Sequence, residues 1–396
     1  MRYTLLVLGF LFTTPVYAIS MNTVLEKAWE KSPQAQILEA RRAESDAQMV
    51  AANSLLAGAP AIILGQRSDQ WNNNVGKREW EAGIALPIWL PGQRDARQRQ
   101  AQIGKDALAT NIGALRLKLA GELREAIWQV RQAEVQIQLD EERTQSAKKL
   151  AEDVARRARA GEMAKTDLNL AQNEWRITQA GVLQSRLRLT QAQQTYVTLT
   201  GIAELPDDAV EKVQPKNSLS DQHPLLGEAR QAIELAQAQV RVISNSRRDN
   251  PEVELSTRRE RSNFNDPYGS TVAISLRLPL SNDARNLPLI TAAQTVLTGA
   301  QSEYNRTRLT LEYQIQQAEQ ALQAADQMLA LAQQQRTAAR ENLALIQKSF
   351  SLGESDLFTL LRARAAAFEA EQSNNQQTIA QALARARLNQ AQGVLP

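Results

Sequence analysis

The chain has 396 residues, a net charge of +3, 43% hydrophobic and only 5% aromatic residues, no cysteine and one histidine. Disulfides and thiolate chemistry are thereby excluded, and the length allows two or three ordinary domains. Arg and Lys alternate with Glu, Asp and Gln along helical stretches instead of gathering into a basic stripe, so nucleic acid is not an expected partner.

The first segment sets the compartment. Met1-Arg2 is a short basic start, Leu5 to Phe12 an apolar core, and Val16-Tyr17-Ala18 resembles a small-residue cleavage site. This pattern predicts a signal peptide over 1–18 and a mature start near Ile19. The apolar core is too short to span a bilayer, and no later stretch reaches the 18 or more apolar residues of a membrane helix. An exported chain without a lipid anchor is expected.

Next comes a helix predicted from about Met21 to Gly58. Two short alternating segments follow, about 60–68 and 79–88. In the second, Trp80, Ala82, Ile84, Leu86 and Ile88 alternate with Glu81, Gly83, Ala85 and Pro87. That is the period of a strand with one apolar face, and the Asn- and Gly-containing link from Gln70 to Lys77 closes a hairpin. From about Asp95 to Arg159 no proline interrupts the chain, and Leu115, Leu119, Leu123, Ile127, Val130 and Ile137 mark one helical seam. About 65 helical residues span roughly 100 Å, too long for a compact domain. A return helix runs from about Ala164 to Thr200, with Leu168, Trp175, Val182, Leu189 and Tyr196 at strict sevens and small residues between them. A sustained period of seven implies left-handed supercoiling against neighbours.

The scheme then repeats. An offset of 192 residues carries Gly161-Glu162 onto Gly353-Glu354 and Leu86-Pro87-Ile88 onto Leu278-Pro279-Leu280. The first copy is read as 19–205 and the second as 206–396. The second holds strands at about 251–260 and 270–280, a long helix from about Leu289 to Phe350 and a return helix from about Asp356 to Gln392. The fold class is mostly α with a small β part, a duplicated helix–strand–strand–helix–helix unit.

Four amphipathic strands of about nine residues in an exported chain have the length of outer-membrane strands. A membrane sheet must close, and four strands are too few to close alone. Three copies would supply 12 strands. Trp80, Trp89 and Tyr268 fall near strand ends, where a membrane aromatic girdle would sit. An ordinary sheet sandwich packed on the helices is the competing reading of the same alternation.

On this duplicated order, the proline exits Leu86-Pro87-Ile88 and Leu278-Pro279-Leu280 and the turns Arg159-Ala160-Gly161-Glu162 and Ser351-Leu352-Gly353-Glu354, the chain resembles the TolC family of outer-membrane efflux channels. The resemblance implies a homotrimer with a shared 12-stranded β-barrel in the lipid of the bacterial outer membrane and an α-helical barrel in the periplasm. It also implies a periplasmic adaptor and an inner-membrane efflux pump as partners. The adaptor would dock at the helix turns, on Arg159, Gly161, Glu162, Met163, Leu352, Gly353, Glu354 and Ser355. Some family members carry a pair of acids past the second turn as a gate. Those positions hold Thr359 and Arg362 here, so the gate candidates are Asp167, Asp356, Thr359 and Arg362. Three copies of Arg362 at a mouth would favour anions.

The stretch Leu86 to Arg94 looks most like the heavy-metal cation efflux branch. No phosphate loop, metal-spaced cluster or catalytic constellation accompanies it. His223 reads as a loop residue before a helix. No cofactor and no enzymatic activity are expected. Besides the efflux duct, a periplasmic coiled-coil or adhesin-like protein and a type I secretion duct for polypeptides stay open.

Overall fold

A computed structural model describes residues 19–214 and 219–396, so the expected signal peptide over 1–18 lies outside the described residues. Seven helices and four strands follow in chain order among the described residues: α1 (Met21–Lys31), α2 (Pro33–Asn53), β1 (Ala61–Ser68), β2 (Arg78–Pro87), α3 (Gln93–Arg159), α4 (Lys165–Thr200), α5 (Pro224–Asn245), β3 (Glu252–Arg261), β4 (Gly269–Arg277), α6 (Asp283–Ser351) and α7 (Leu357–Ala391).

Three boundaries differ from the sequence reading, each for a local reason. The first helix is not continuous to Gly58. Pro33 forces the preceding residue out of the helical region, and Ser32 is extended, at φ −68° and ψ 139°. The break is sealed locally, since the Ser32 amide and hydroxyl both donate to the Trp29 carbonyl at 3.0 and 2.8 Å. α6 starts six residues before Leu289. Asn282 caps it by accepting from the Ala284 amide at 2.9 Å, and Pro288 is held inside the helix. β4 stops at Arg277 because Pro279 has no N–H to extend a ladder.

The chain divides into two compact units. The first comprises residues 33–116 with 219–314: α2, α5, the opening parts of α3 and α6, and all four strands. Leu38, Ala101, Leu226, Ala236 and Val242 are its buried apolar contacts. Polar side chains pin the helix ends to the strand exits. The Gln93 amide group donates to Ser246 Oγ at 3.0 Å, and Arg285 grips Asp249 through two hydrogen bonds of 2.7 Å. The four strands form one antiparallel sheet in the order β1-β2-β3-β4. The two hairpins are therefore joined through β2 and β3, and β1 and β4 are left as edges.

The second unit comprises 19–32, 117–214 and 315–396: α1, α4, α7 and the remaining parts of α3 and α6. Leu117, Leu123, Ile127, Val130 and Val154 of α3 are at most 1% exposed, each contributing about 1.5–3 kcal/mol of apolar burial. The return helix α4 packs through the small residues of its seven-residue pattern. Ala171, Thr178 and Ser185 are the buried seam, and Leu168 and Trp175 are only partly covered. Small residues win because two long helices approach closely only where side chains are short. α7 does the same with Ala363, Ala367, Ala370, Ala382 and Ala386. Ser185 and Asp140 hydrogen-bond across the α3–α4 seam.

Candidate functional site: a two-faced sheet and two glycine turns

The register of the sheet sorts its residues onto two chemically distinct faces. Ile62, Ile84, Leu255 and Ile274 are consecutive cross-strand partners, as are Leu64, Ala82, Thr257 and Val272. Directly opposed residues share a face, so these rows stack into one apolar surface. Among the described residues nothing covers it: Ile62, Leu64, Val272 and Ile274 are 75–78% exposed. The competing sandwich reading fails here, because no helix packs on this face.

The other face is polar or small. Arg258 lies 3.0 Å from Glu79 and 3.4 Å from Glu81, Arg67 approaches Glu79 at 3.7 Å, and Ser275 donates to Glu254 at 3.2 Å. Gly83 is required on this face, since a Cβ there would meet the Ser256 Cβ at 2.9 Å. Such a sheet has one face for hydrocarbon and one for water, and two open edges.

The three aromatic residues singled out from sequence occupy its ends. Trp80 is half-exposed on the apolar face, paired with Arg259. Tyr268 precedes β4, with the Arg259 and Arg261 guanidinium groups 5.2 and 5.1 Å from its ring. Trp89 follows β2 at the opposite end. Its indole N–H donates to the Ser54 carbonyl at 3.0 Å, and Arg97 lies over the ring at 5.3 Å. Trp71, 97% exposed in the β1–β2 loop, joins the outer pair and was not singled out. Its lack of any strand periodicity hid it.

The two helix turns are built alike. Gly161 and Gly353 have φ of +81° and +79°, a left-handed conformation that costs glycine nothing. The Glu162 amide donates to the Arg157 carbonyl at 2.9 Å and the Glu354 amide to the Ser349 carbonyl at 3.0 Å. Both are Schellman closures, in which an amide beyond the glycine satisfies a helical carbonyl. Around them Arg159, Glu162, Leu352 and Glu354 are exposed and Ser355 is half-buried. Met163 instead packs against the core formed by Leu150, Val154, Phe350, Leu357 and Leu360. Phe358, 65% exposed in the first turn of α7, adds a surface aromatic beside the second turn.

Of the gate candidates, one is a helix cap and the others lie near the starts of α4 and α7. Asp356 caps α7, accepting from the Thr359 amide at 2.6 Å. Hydrogen bonds from Thr359 hold its carboxyl below the usual carboxylate range, and the charge of Arg362 adds to this. Arg362 is exposed one turn further on, and Asp167 is half-buried in the first turn of α4. His223 is 2% exposed and caps α5, its Nδ1 accepting from the Leu225 amide at 3.2 Å. Among the described residues no three His, Cys, Asp or Glu side chains converge as for a metal ion, and no helix is long and apolar enough to cross a membrane.

An antiparallel sheet with an uncovered apolar face, carried by a duplicated set of long helices with matched glycine turns, is the fold of outer-membrane efflux channels. Residues 217–394, a little under half of the chain, match the family model described as outer membrane efflux protein. The fold is shared with three solved structures over nearly the whole chain. VceC, an outer membrane protein of Vibrio cholerae, is 16% identical with a TM-score of 0.76, covering 94% of this chain and 96% of its own. CusC is 16% identical with a TM-score of 0.79, covering 95% and 92%. The MtrE outer membrane channel of Neisseria gonorrhoeae is 20% identical with a TM-score of 0.72, covering 94% and 89%. No curated protein matches by sequence.

Proposed function

We infer that the chain is the outer-membrane exit duct of a tripartite efflux system, a passive conduit in which energy comes from an inner-membrane pump. One observation carries this reading: the sheet leaves its apolar face bare and both edge strands unpaired. In hydrocarbon an open edge strands several backbone groups without partners, which only closure relieves. Three copies, β4 of one beside β1 of the next, supply a closed 12-stranded barrel with the polar face inward. Exposed apolar side chains on the helices, among them Ile177, Leu183 and Leu187 of α4 and Val296, Leu309 and Leu331 of α6, fit burial between such protomers.

In this reading the turns at Gly161 and Gly353 receive a periplasmic adaptor, with Arg159, Glu162, Leu352, Glu354 and Ser355 as contacts and Met163 supporting them from beneath. Asp167, Asp356, Thr359 and Arg362 lie at the helix starts beside the turns and are the gate candidates. The metal-ion branch is the cargo reading that the Leu86 to Arg94 resemblance supports, with hydrated ions passing unligated.

The test has two parts. Heat-modifiable trimers in outer-membrane fractions are expected, and a chain recovered as soluble periplasmic monomer sinks the duct. A deletion strain challenged with metals, dyes and antibiotics is expected to become sensitive to one class, and bulky replacements of Gly161 and Gly353 to reproduce that sensitivity with trimers intact.

A further inference from the structure

The apolar face of the sheet ends in arginine. On β2 and β3 the residues that share the face of Ile84 and Leu255 run on through Trp80 to Arg78 and through Arg259 to Arg261. The register sets Arg78 directly opposite Arg261 and Trp80 opposite Arg259. Like charges directly opposed across a ladder are destabilising, and this pair has a third guanidinium two residues away on the same face.

No carboxylate answers them. Glu79, Glu81 and Glu260 alternate onto the other face, where Glu79 and Glu81 are engaged by Arg258. Asp69 is taken by the Val75 and Gly76 amides at 2.7 and 3.1 Å, and Asp266 by Asn263 at 2.7 Å. Among the described residues, Arg78, Arg259 and Arg261 form no ion pair. Two are held in place by neutral groups. Arg261 donates to the Gly76 carbonyl at 3.1 Å and lies 5.5 Å from the Phe264 ring, and both Arg259 and Arg261 lie over Tyr268. These contacts orient the guanidinium groups without neutralising them.

The depth is informative. Arg259 stands four residues, about 13 Å of strand, beyond Leu255 in the apolar band. Arginine on a lipid-facing strand is costly at mid-bilayer but costs little at the interface. Aromatic Trp80 and Tyr268 mark that interface. Arginine is also the side chain whose planar fork matches phosphate oxygens in pairs.

We propose that Arg78, Arg259 and Arg261 form a binding site for the phosphate groups of an anionic glycolipid in the outer leaflet, with Trp80 and Tyr268 against its sugar and upper chains. The inference rests on the outer-membrane reading of the sheet. It adds a specific lipid partner, which relieves the Arg78–Arg261 repulsion and fixes the barrel at its outer rim.

The full-length protein is reconstituted into zwitterionic phospholipid vesicles carrying either bisphosphorylated lipid A or the same glycolipid with its phosphates removed. Lipid retained after extraction is then measured by mass spectrometry. The wild type is expected to keep the phosphorylated form at least about tenfold better, a difference of about 1.4 kcal/mol. R78Q/R259Q/R261Q is expected to lose that preference. R259Q alone leaves the Arg261–Gly76 hydrogen bond in place and is expected to lose part of it. Equal retention of the two glycolipids by the wild type overturns the site, and so does an unchanged preference in the triple variant. Displacement by millimolar inorganic phosphate shows a general anion site and overturns the glycolipid assignment. Failure to enter either vesicle sinks the membrane reading itself, whereas insertion without preference sinks only the lipid site.

Discussion

The guanidinium of Arg124 grips the carboxylate of Glu211 through two hydrogen bonds of 2.6 and 2.8 Å, with the two side chains 2% and 10% exposed. Arg124 also donates to the Val394 carbonyl at 3.1 Å, and Asn389 donates to Glu211 at 2.9 Å. One buried charge pair therefore ties the middle of α3, the segment between α4 and α5, and the end of α7. Removing one partner strands the other charge, which costs about 3–5 kcal/mol. Arg124→Met and Glu211→Gln are each expected to lower thermal stability by that order. The double variant should recover much of it, because two neutral side chains leave no orphaned charge. Single variants within about 1 kcal/mol of wild type in denaturant melts would contradict the clamp.

Tyr196 makes a second test of the same unit. Its ring is 1% exposed and its hydroxyl donates to the Glu204 carbonyl at 2.8 Å. Burial disfavours the phenolate, so the hydroxyl is pushed up from 10.0 to about 12. The neutral form is the one the fold prefers. Its contribution is thus fully present below the unfolded value of 10.0 and is lost as pH rises through about 12. Thermal stability should fall between those values. Tyr196→Phe should flatten the fall and cost about 1–2 kcal/mol at neutral pH, from the bond lost and the carbonyl left bare. An identical alkaline profile in the variant would show that other groups govern it.

Much of the fold was legible because its signals are long. The seven-residue spacing of α4 and the alternation of β2 and β4 extend over enough residues to separate a period of 3.6 from a period of 2. The duplication gave each element a second reading. What was missed is short-range or tertiary. A single proline at position 33 splits the first helix, and an Asn cap at 282 starts α6 before its proline. The small set Ala171, Thr178 and Ser185, itself spaced by sevens, was by contrast legible as the close-packing seam of α4 and is buried. The arginine rim could be read only once register placed Arg78 opposite Arg261, since pairing partners are not encoded locally.

Gly161 and Gly353 can be tested for conformation apart from contact. A Cβ built at either position meets no atom within 4 Å. Any penalty of substitution is therefore backbone strain alone, about 1–2 kcal/mol for a residue forced into the left-handed region. Gly161→Ala and Gly353→Ala should each destabilise by that amount in urea titrations, and Asn at either site by less, because its side chain tolerates this region. Larger losses for alanine would mean that the turns are packed against something in the assembled protein.

The two return helices should differ in acid. Asp356 caps α7 through the Thr359 amide, whereas Ala164, its counterpart at the start of α4, has no side-chain cap. The Asp356 carboxyl is held below its ordinary value of 3.8. A depressed carboxylate stabilises above the unfolded value and loses that contribution as pH falls through the folded one. Amide exchange at Thr359 should accelerate as pH drops below that ordinary value, after correction for intrinsic rates. Asp356→Asn keeps an acceptor without the charge and should remove the pH dependence while leaving the cap. Equal acceleration in wild type and variant would assign the effect elsewhere.

The two faces of the sheet give opposite expectations for neighbouring residues. Ile274 and Ser275 are adjacent on β4, yet register pairs Ile274 with Leu255 on the apolar face and Ser275 with Glu254 on the polar one. If the apolar face meets hydrocarbon, Ile274→Arg places a charge near mid-bilayer, at about 2–4 kcal/mol. Ser275→Arg places the same charge in water beside a carboxylate that can pair with it, where an exposed pair is worth about 0–1 kcal/mol. Folding into lipid vesicles should therefore fall sharply for Ile274→Arg and scarcely change for Ser275→Arg. Equal losses at 274 and 275 would mean that both faces see the same medium, and the sheet would then not be a membrane wall.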